Sequence, residues 1–122
     1  MQLTRDTGAV HFIRAWEPGR VRIAERWIAG NIIVGTDAII EDWTTARPDA
    51  LTIVDLEAAL ALEPTIIVLG TGTERLLPDV ELMAAAAARS VGLEIMSTPA
   101  ACRTFNVLLQ EQRRVVAALF NP

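Results

Sequence analysis

The order of apolar and polar positions divides the chain into two textures. From His11 to Trp43, short runs of β-branched and aromatic residues are cut by turn signals at Glu17-Pro18-Gly19, Gly30-Asn31 and Gly35-Thr36-Asp37. This predicts a β-meander with strands at 11–16, 20–23, 26–28, 32–34 and 38–41. Val21-Arg22-Ile23 alternates and should keep one wet face, whereas Ile32-Ile33-Val34 does not alternate and reads as covered on both sides.

Beyond Trp43 the spacing becomes helical. Thr52 with Asp55 three residues on has the form of a capping box, and Ile53, Leu56 and Leu60 follow on one face, predicting a helix over 53–62 that Pro64 stops. Thr65-Ile66-Ile67-Val68-Leu69 is an apolar strand that exits through Gly70 and Gly72. The alanine-rich 78–90 stretch predicts a second helix, with proline in its first turn and Gly92 past its end. Leu93-Glu94-Ile95-Met96 is a further strand, and Thr98-Pro99 reads as a cap followed by proline at the first helical position. In the helix that follows, Ala101, Cys102, Phe105, Leu108 and Leu109 lie on the packing side, opposite Arg103, Asn106, Gln110 and Arg113. Val115 to Phe120 is a last apolar strand. The second half thus reads βαβαβ after a lead-in helix, and the expected closure is a three-layer α/β sandwich.

Composition narrows the function classes. The 122 residues, 52% apolar, suit one compact domain over 1–122, with residues 1–10 expected to be disordered. A formal charge of −4 argues against a nucleic-acid partner. No apolar run approaches a membrane span, so no membrane insertion is expected. The polar first ten residues lack the apolar centre of a secretory signal, which makes a cytoplasmic location the expectation. With one cysteine, Cys102, and one histidine, His11, neither a disulfide nor a structural zinc site is expected.

Candidate chemistry centres on the strand exit. Gly70-Thr71-Gly72 permits close backbone approach to a small anion. Arg75 stands where a dinucleotide fingerprint needs its third glycine, and the chain has no lysine for a Walker loop, so no cofactor is expected. If the strands of Val68 and Ile95 are parallel neighbours, their carboxyl ends place Gly70, Thr71 and Gly72 beside Thr98, whose helix start attracts anions, with Arg103 and Asn106 extending that rim. The plainer readings are a tight strand exit, a helix cap at Thr98 and a local hydrogen-bonding role for Asn106. Cys102 lacks an evident base and reads as buried and inert; His11 reads as a surface or packed histidine. Glu41 and Asp42 read as a polar strand end, and Trp16, Trp27 and Trp43 as core, any exposed member favouring a protein interface.

The glycine exit, the segment Gly30-Asn31-Ile32-Ile33-Val34-Gly35, and the closing stretch from Thr98-Pro99-Ala100-Ala101-Cys102-Arg103-Thr104-Phe105-Asn106 through Arg114-Val115-Val116-Ala117-Ala118-Leu119 together resemble the Mth938-like family, formerly a domain of unknown function. The resemblance implies a three-layer Mth938-like sandwich with a mixed central sheet and an additional N-terminal β-layer. No catalytic set is implied. Mitochondrial members of the family include complex I assembly factor 3, so the resemblance implies a noncatalytic protein-interaction or assembly role with a protein partner. The alternative expectation is a binder of, or enzyme on, an anionic small molecule at Gly70, Thr71, Gly72, Thr98, Arg103 and Asn106.

Overall fold

The computed structural model describes residues 2–5 and 10–122. Among these residues nine strands and three α-helices follow in the order β1 (Gln2–Arg5), β2 (Ile13–Glu17), β3 (Arg20–Ile23), β4 (Arg26–Ala29), β5 (Ile32–Val34), β6 (Ala38–Glu41), α1 (Ile53–Leu60), β7 (Ile66–Gly70), α2 (Val80–Ala88), β8 (Gly92–Met96), α3 (Thr98–Gln110) and β9 (Val115–Leu119). Part of the stretch expected to be disordered is ordered: β1 pairs antiparallel with β6 from Gln2↔Glu41 to Arg5↔Ala38. Leu3 remains largely exposed, and the main-chain pairing satisfies the edge of β6. Residues 1 and 6–9 of that stretch lie outside the described residues.

Six strands form one mixed sheet in the order β1-β6-β5-β9-β7-β8, and three form a separate antiparallel sheet, β2-β3-β4. In the large sheet β9 runs antiparallel to β5 but parallel to β7, and β8 runs parallel to β7. Strand periodicity sorts the core onto two faces. Ile32, Val34, Val68, Val115, Ala117 and Leu119 point toward one cluster, which α3 completes with Ala101, Cys102, Phe105 and Leu109 and the small sheet with Ile13, Val21, Ile23 and Ile28. Ile33, Ile67, Leu69, Val116 and Ala118 point the other way, against Leu56 and Ala59 of α1 and Leu82 of α2. The layers are therefore the small sheet beside α3, the six-stranded sheet, and α1 beside α2. Since β8 lies outward from β7 and β9 lies back across it, the two crossovers share one hand only with α2 and α3 on opposite faces, as they are.

Local signals explain the element ends. The Thr52 N–H donates to the Asp55 carboxylate at 2.9 Å, one half of the capping box read in the sequence. Trp43 stacks at a tilt on Phe120, 5.1 Å between ring centroids, and its indole N–H donates to the Asp55 carbonyl at 2.7 Å, which ties the start of α1 to the sheet. The cap of α3 differs from the expected one. Ser97 is the N-cap, its hydroxyl facing Ala100 N–H, and Thr98 is the first helical residue with Pro99 next. Two adjacent hydroxyl residues before a proline satisfy the same sequence rule, and burial decides between them: Thr98 is fully buried and its hydroxyl is committed elsewhere.

Candidate functional site

The strands of Val68 and Ile95 are parallel neighbours, with Leu69 opposite Ile95 and Gly70 opposite Met96, so the strand exit and the start of α3 do meet. They meet without a gap. Gly72 N–H donates to Thr98 Oγ1 at 2.8 Å, Thr98 N–H donates back to the Gly72 carbonyl at 2.7 Å, and the Thr98 hydroxyl donates to the Phe120 carbonyl at 2.7 Å. A Cβ on Gly70 would stand 2.9 Å from Thr98 Cα, which is why the strand must end in glycine here. Gly72, at φ +104°, turns the chain back across the α3 start. Thr71 is buried, and its hydroxyl donates to the Glu74 carbonyl at 2.6 Å while accepting from Leu76 N–H at 2.9 Å.

A residue that sequence reasoning missed joins the same corner. Asn121 N–H donates to Asn31 Oδ1 at 2.9 Å and Asn121 Nδ2 donates to the Gly30 carbonyl at 3.0 Å, while Asn31 Nδ2 donates to the Thr44 carbonyl at 2.9 Å. Thus the Gly30-Asn31 turn, the Gly70–Gly72 exit and the Thr98 helix start converge on the end of β9, each through its own hydrogen bonds. The turn asparagine in the sequence was the signal; its partner lies some ninety positions away and carries none.

Arg103 and Asn106 lie apart from that corner, one helical stripe further round α3. Asn106 acts on β2: it accepts from Ile13 N–H and donates to the Ile13 carbonyl, both at 2.8 Å, imitating a neighbouring strand at the free edge of the small sheet. Next to this contact, α3 and β2 separate to form a solvent-open groove of about 250 Å³, with Pro99, Arg103 and Asn106 on one wall and Arg14 and Trp16 on the other. The register of β2 against β3 shifts between Ile13 and Ala15, so Arg14 sits at a bulge that swings its side chain outward, over the Phe12 ring at 5.6 Å. The Trp16 indole nitrogen is buried there and has no hydrogen-bond partner among the described residues.

The remaining candidates offer no reaction chemistry. Cys102 is buried beneath the groove, and loss of hydration pushes its thiol up to about 12, so it stays protonated. His11 is packed at 7% exposure, its Nδ1 without a partner among the described residues. Glu41 pairs with Arg26, and Asp42 adopts a left-handed turn at φ 51°, so the two serve as a strand end. Trp43 is core, while Trp16 and Trp27 are only half-buried. Among the described residues no group of His, Cys, Asp and Glu is placed to hold a metal ion, and no helix is long and apolar enough to cross a membrane.

A mixed central sheet, helices on both faces and a three-stranded sheet packed beside the longest helix define a small α/β sandwich with an open groove between that sheet and helix. The chain belongs to the family described as protein of unknown function (DUF498/DUF598), whose sequence profile matches residues 13–120. Among solved structures, a Bordetella parapertussis protein superposes with a TM-score of 0.87 at 30% identity, covering 96% of this chain and 100% of that one. A Bordetella pertussis protein named as a Mth938-like domain gives 0.79 at 26% identity, covering 97% and 90%. In sequence, the chain is 36% identical over 103 residues to NADH dehydrogenase [ubiquinone] 1 alpha subcomplex assembly factor 3 of Danio rerio, covering 78% of this chain and 58% of the relative. The chain therefore spans little more than half the length of that curated relative.

Proposed function

We propose that this chain is a noncatalytic protein-interaction domain that assists assembly of a membrane-associated protein complex, working from the cytoplasm. The observation that carries this reading is the β2–α3 groove, where two exposed arginines and a half-buried tryptophan, residue types that dominate protein interfaces, line a surface open to solvent. The assembly-factor name of a relative aligned over most of the chain supports the same direction. The competing expectation, an anionic metabolite at Gly70, Thr71, Gly72 and Thr98, meets a corner whose donors are already taken. A metabolite there would have to displace Thr98 Oγ1 from Gly72 N–H and enter against a Gly70–Thr98 contact with no room for a methyl group.

Affinity capture from the native host, with the full chain as bait, tests the reading. A stoichiometric protein partner is the expected result, with amide-shift changes mapping to β2 and α3. Recovery of no partner under several mild conditions, together with turnover of a defined metabolite, would overturn it.

A further inference from the structure

We infer that the β2–α3 groove takes an acidic segment of the partner protein, a carboxylate side chain lying between Arg14 and Arg103 and its main chain running along the free edge of β2. The inference rests on the interaction reading above and specifies the chemistry of its partner. In a chain of formal charge −4, no Asp or Glu lines this groove, and its two charged residues are both arginine. Arg20, Arg26, Arg47, Arg89 and Arg114 pair with carboxylates of their own chain, whereas Arg14 and Arg103 form no ion pair among the described residues. Trp16 Nε1, on the wall of the groove, is also buried and has no acceptor among the described residues. Arg14, Arg103 and the Trp16 indole therefore offer the groove donors whose complement is a set of acceptor oxygens, and a carboxylate meets guanidinium groups in the two-pronged geometry they favour.

The main chain points to a peptide as the occupant. The hairpin of β2 and β3 turns through Pro18-Gly19 between the paired residues Glu17 and Arg20. The alternation of an antiparallel ladder then directs the N–H and C=O of Trp16 and of Ile13 away from β3. Asn106 occupies the pair at Ile13. The pair at Trp16 faces the groove, where an added strand segment would meet it. A volume of about 250 Å³ holds an anchoring side chain or two and falls below the roughly 300–1,000 Å³ of ordinary small-molecule pockets.

The test uses the full chain and the partner captured from the native host. Photo-reactive p-benzoylphenylalanine replaces Val107, exposed one turn along α3 from Arg103, and in a second protein replaces Val54, exposed on α1 across the molecule. The expected cross-link forms from position 107, not from 54, and lands in a partner segment carrying Asp or Glu. The double variant Arg14→Glu with Arg103→Glu should weaken the complex at least tenfold with its unfolding midpoint little changed. Replacing the partner's acid with arginine should restore binding to that variant. Binding changed less than twofold by the double reversal, or a cross-linked segment without an acidic residue, would overturn the inference while leaving a partner in hand. Failure of the wild-type chain to capture any partner under several mild conditions, together with turnover of a defined metabolite, would overturn the interaction reading and this inference with it.

Discussion

Replacing Thr98 by valine isolates the hydroxyl that ties the strand exit, the α3 start and the end of β9 together. Valine keeps the branched shape, so packing is retained while Gly72 N–H loses its acceptor and the Phe120 carbonyl loses this donor. Thr98 is fully buried, so water cannot substitute. A buried polar group left unmet costs about 1–3 kcal/mol, and two of them give roughly 2–6 kcal/mol for Thr98→Val. That is a large share of the about 5–15 kcal/mol that holds a typical domain folded. Thr98→Ser is the control: it keeps the hydroxyl and forfeits one methyl group, for about 1 kcal/mol. Urea unfolding followed by the fluorescence of Trp16, Trp27 and Trp43 measures both, the slope with urea staying constant if only stability changes. Amide exchange at Gly72 should accelerate in the valine variant and not in the serine one. A valine variant as stable as the serine variant, or unchanged exchange at Gly72, would refute the reasoning.

The other predictions concern single contacts. Gly70→Ala places a methyl 2.9 Å from Thr98 Cα and 3.0 Å from Leu119 Cδ2, and overpacking of that kind should cost about 1–3 kcal/mol or more in thermal unfolding. Gly30→Ala, at φ +84° with open space around it, should lose only the backbone penalty of about 1–2 kcal/mol. Asn106→Leu should cost about 1–3 kcal/mol by releasing the Ile13 main chain, and hydrogen exchange at Ile13 should rise far more than at Val21. Cys102 should resist iodoacetamide at pH 8 in the folded chain and react once it is unfolded. Because burial raises its pKa from 9.0 to about 12, the folded state holds its proton longer than the unfolded one. That contribution to stability is complete below pH 9.0 and declines as pH rises toward about 12, by up to about 1.4 kcal/mol per pH unit. Cys102→Ala should remove this part of the alkaline decline.

What the sequence disclosed follows from which forces are local. Strands such as Ile66–Gly70 and Val115–Leu119 announce themselves because burial on both faces demands unbroken β-branched or small apolar residues. The lead-in helix was readable because its capping box lies within four residues. The β1 strand was not, since Gln2–Arg5 has one apolar residue and gains its place by pairing with a distant edge. The meeting of Gly70–Gly72 with Thr98 was legible from the parallel strand order. That the meeting leaves no cavity was not, because it depends on a methyl-sized distance that only packing sets. Arg103 and Asn106 belonged to the right helix yet to another surface: their opposite wall is β2, and the Arg14 bulge that opens it has no local sequence signature.

Because β9 stands in the middle of the large sheet, the two halves flanking it have no strand contact of their own. The β1-β6-β5 unit and the β7-β8 pair are joined only when Val115–Leu119 is inserted between β5 and β7. Those five residues follow every other described strand in the chain, so until they emerge from the ribosome folding can yield two partly formed sheets with open, aggregation-prone borders but not the finished one. A nascent chain stalled before Val115 should therefore remain chaperone-bound and protease-sensitive, and release of that last segment should lock the whole sandwich in one cooperative step.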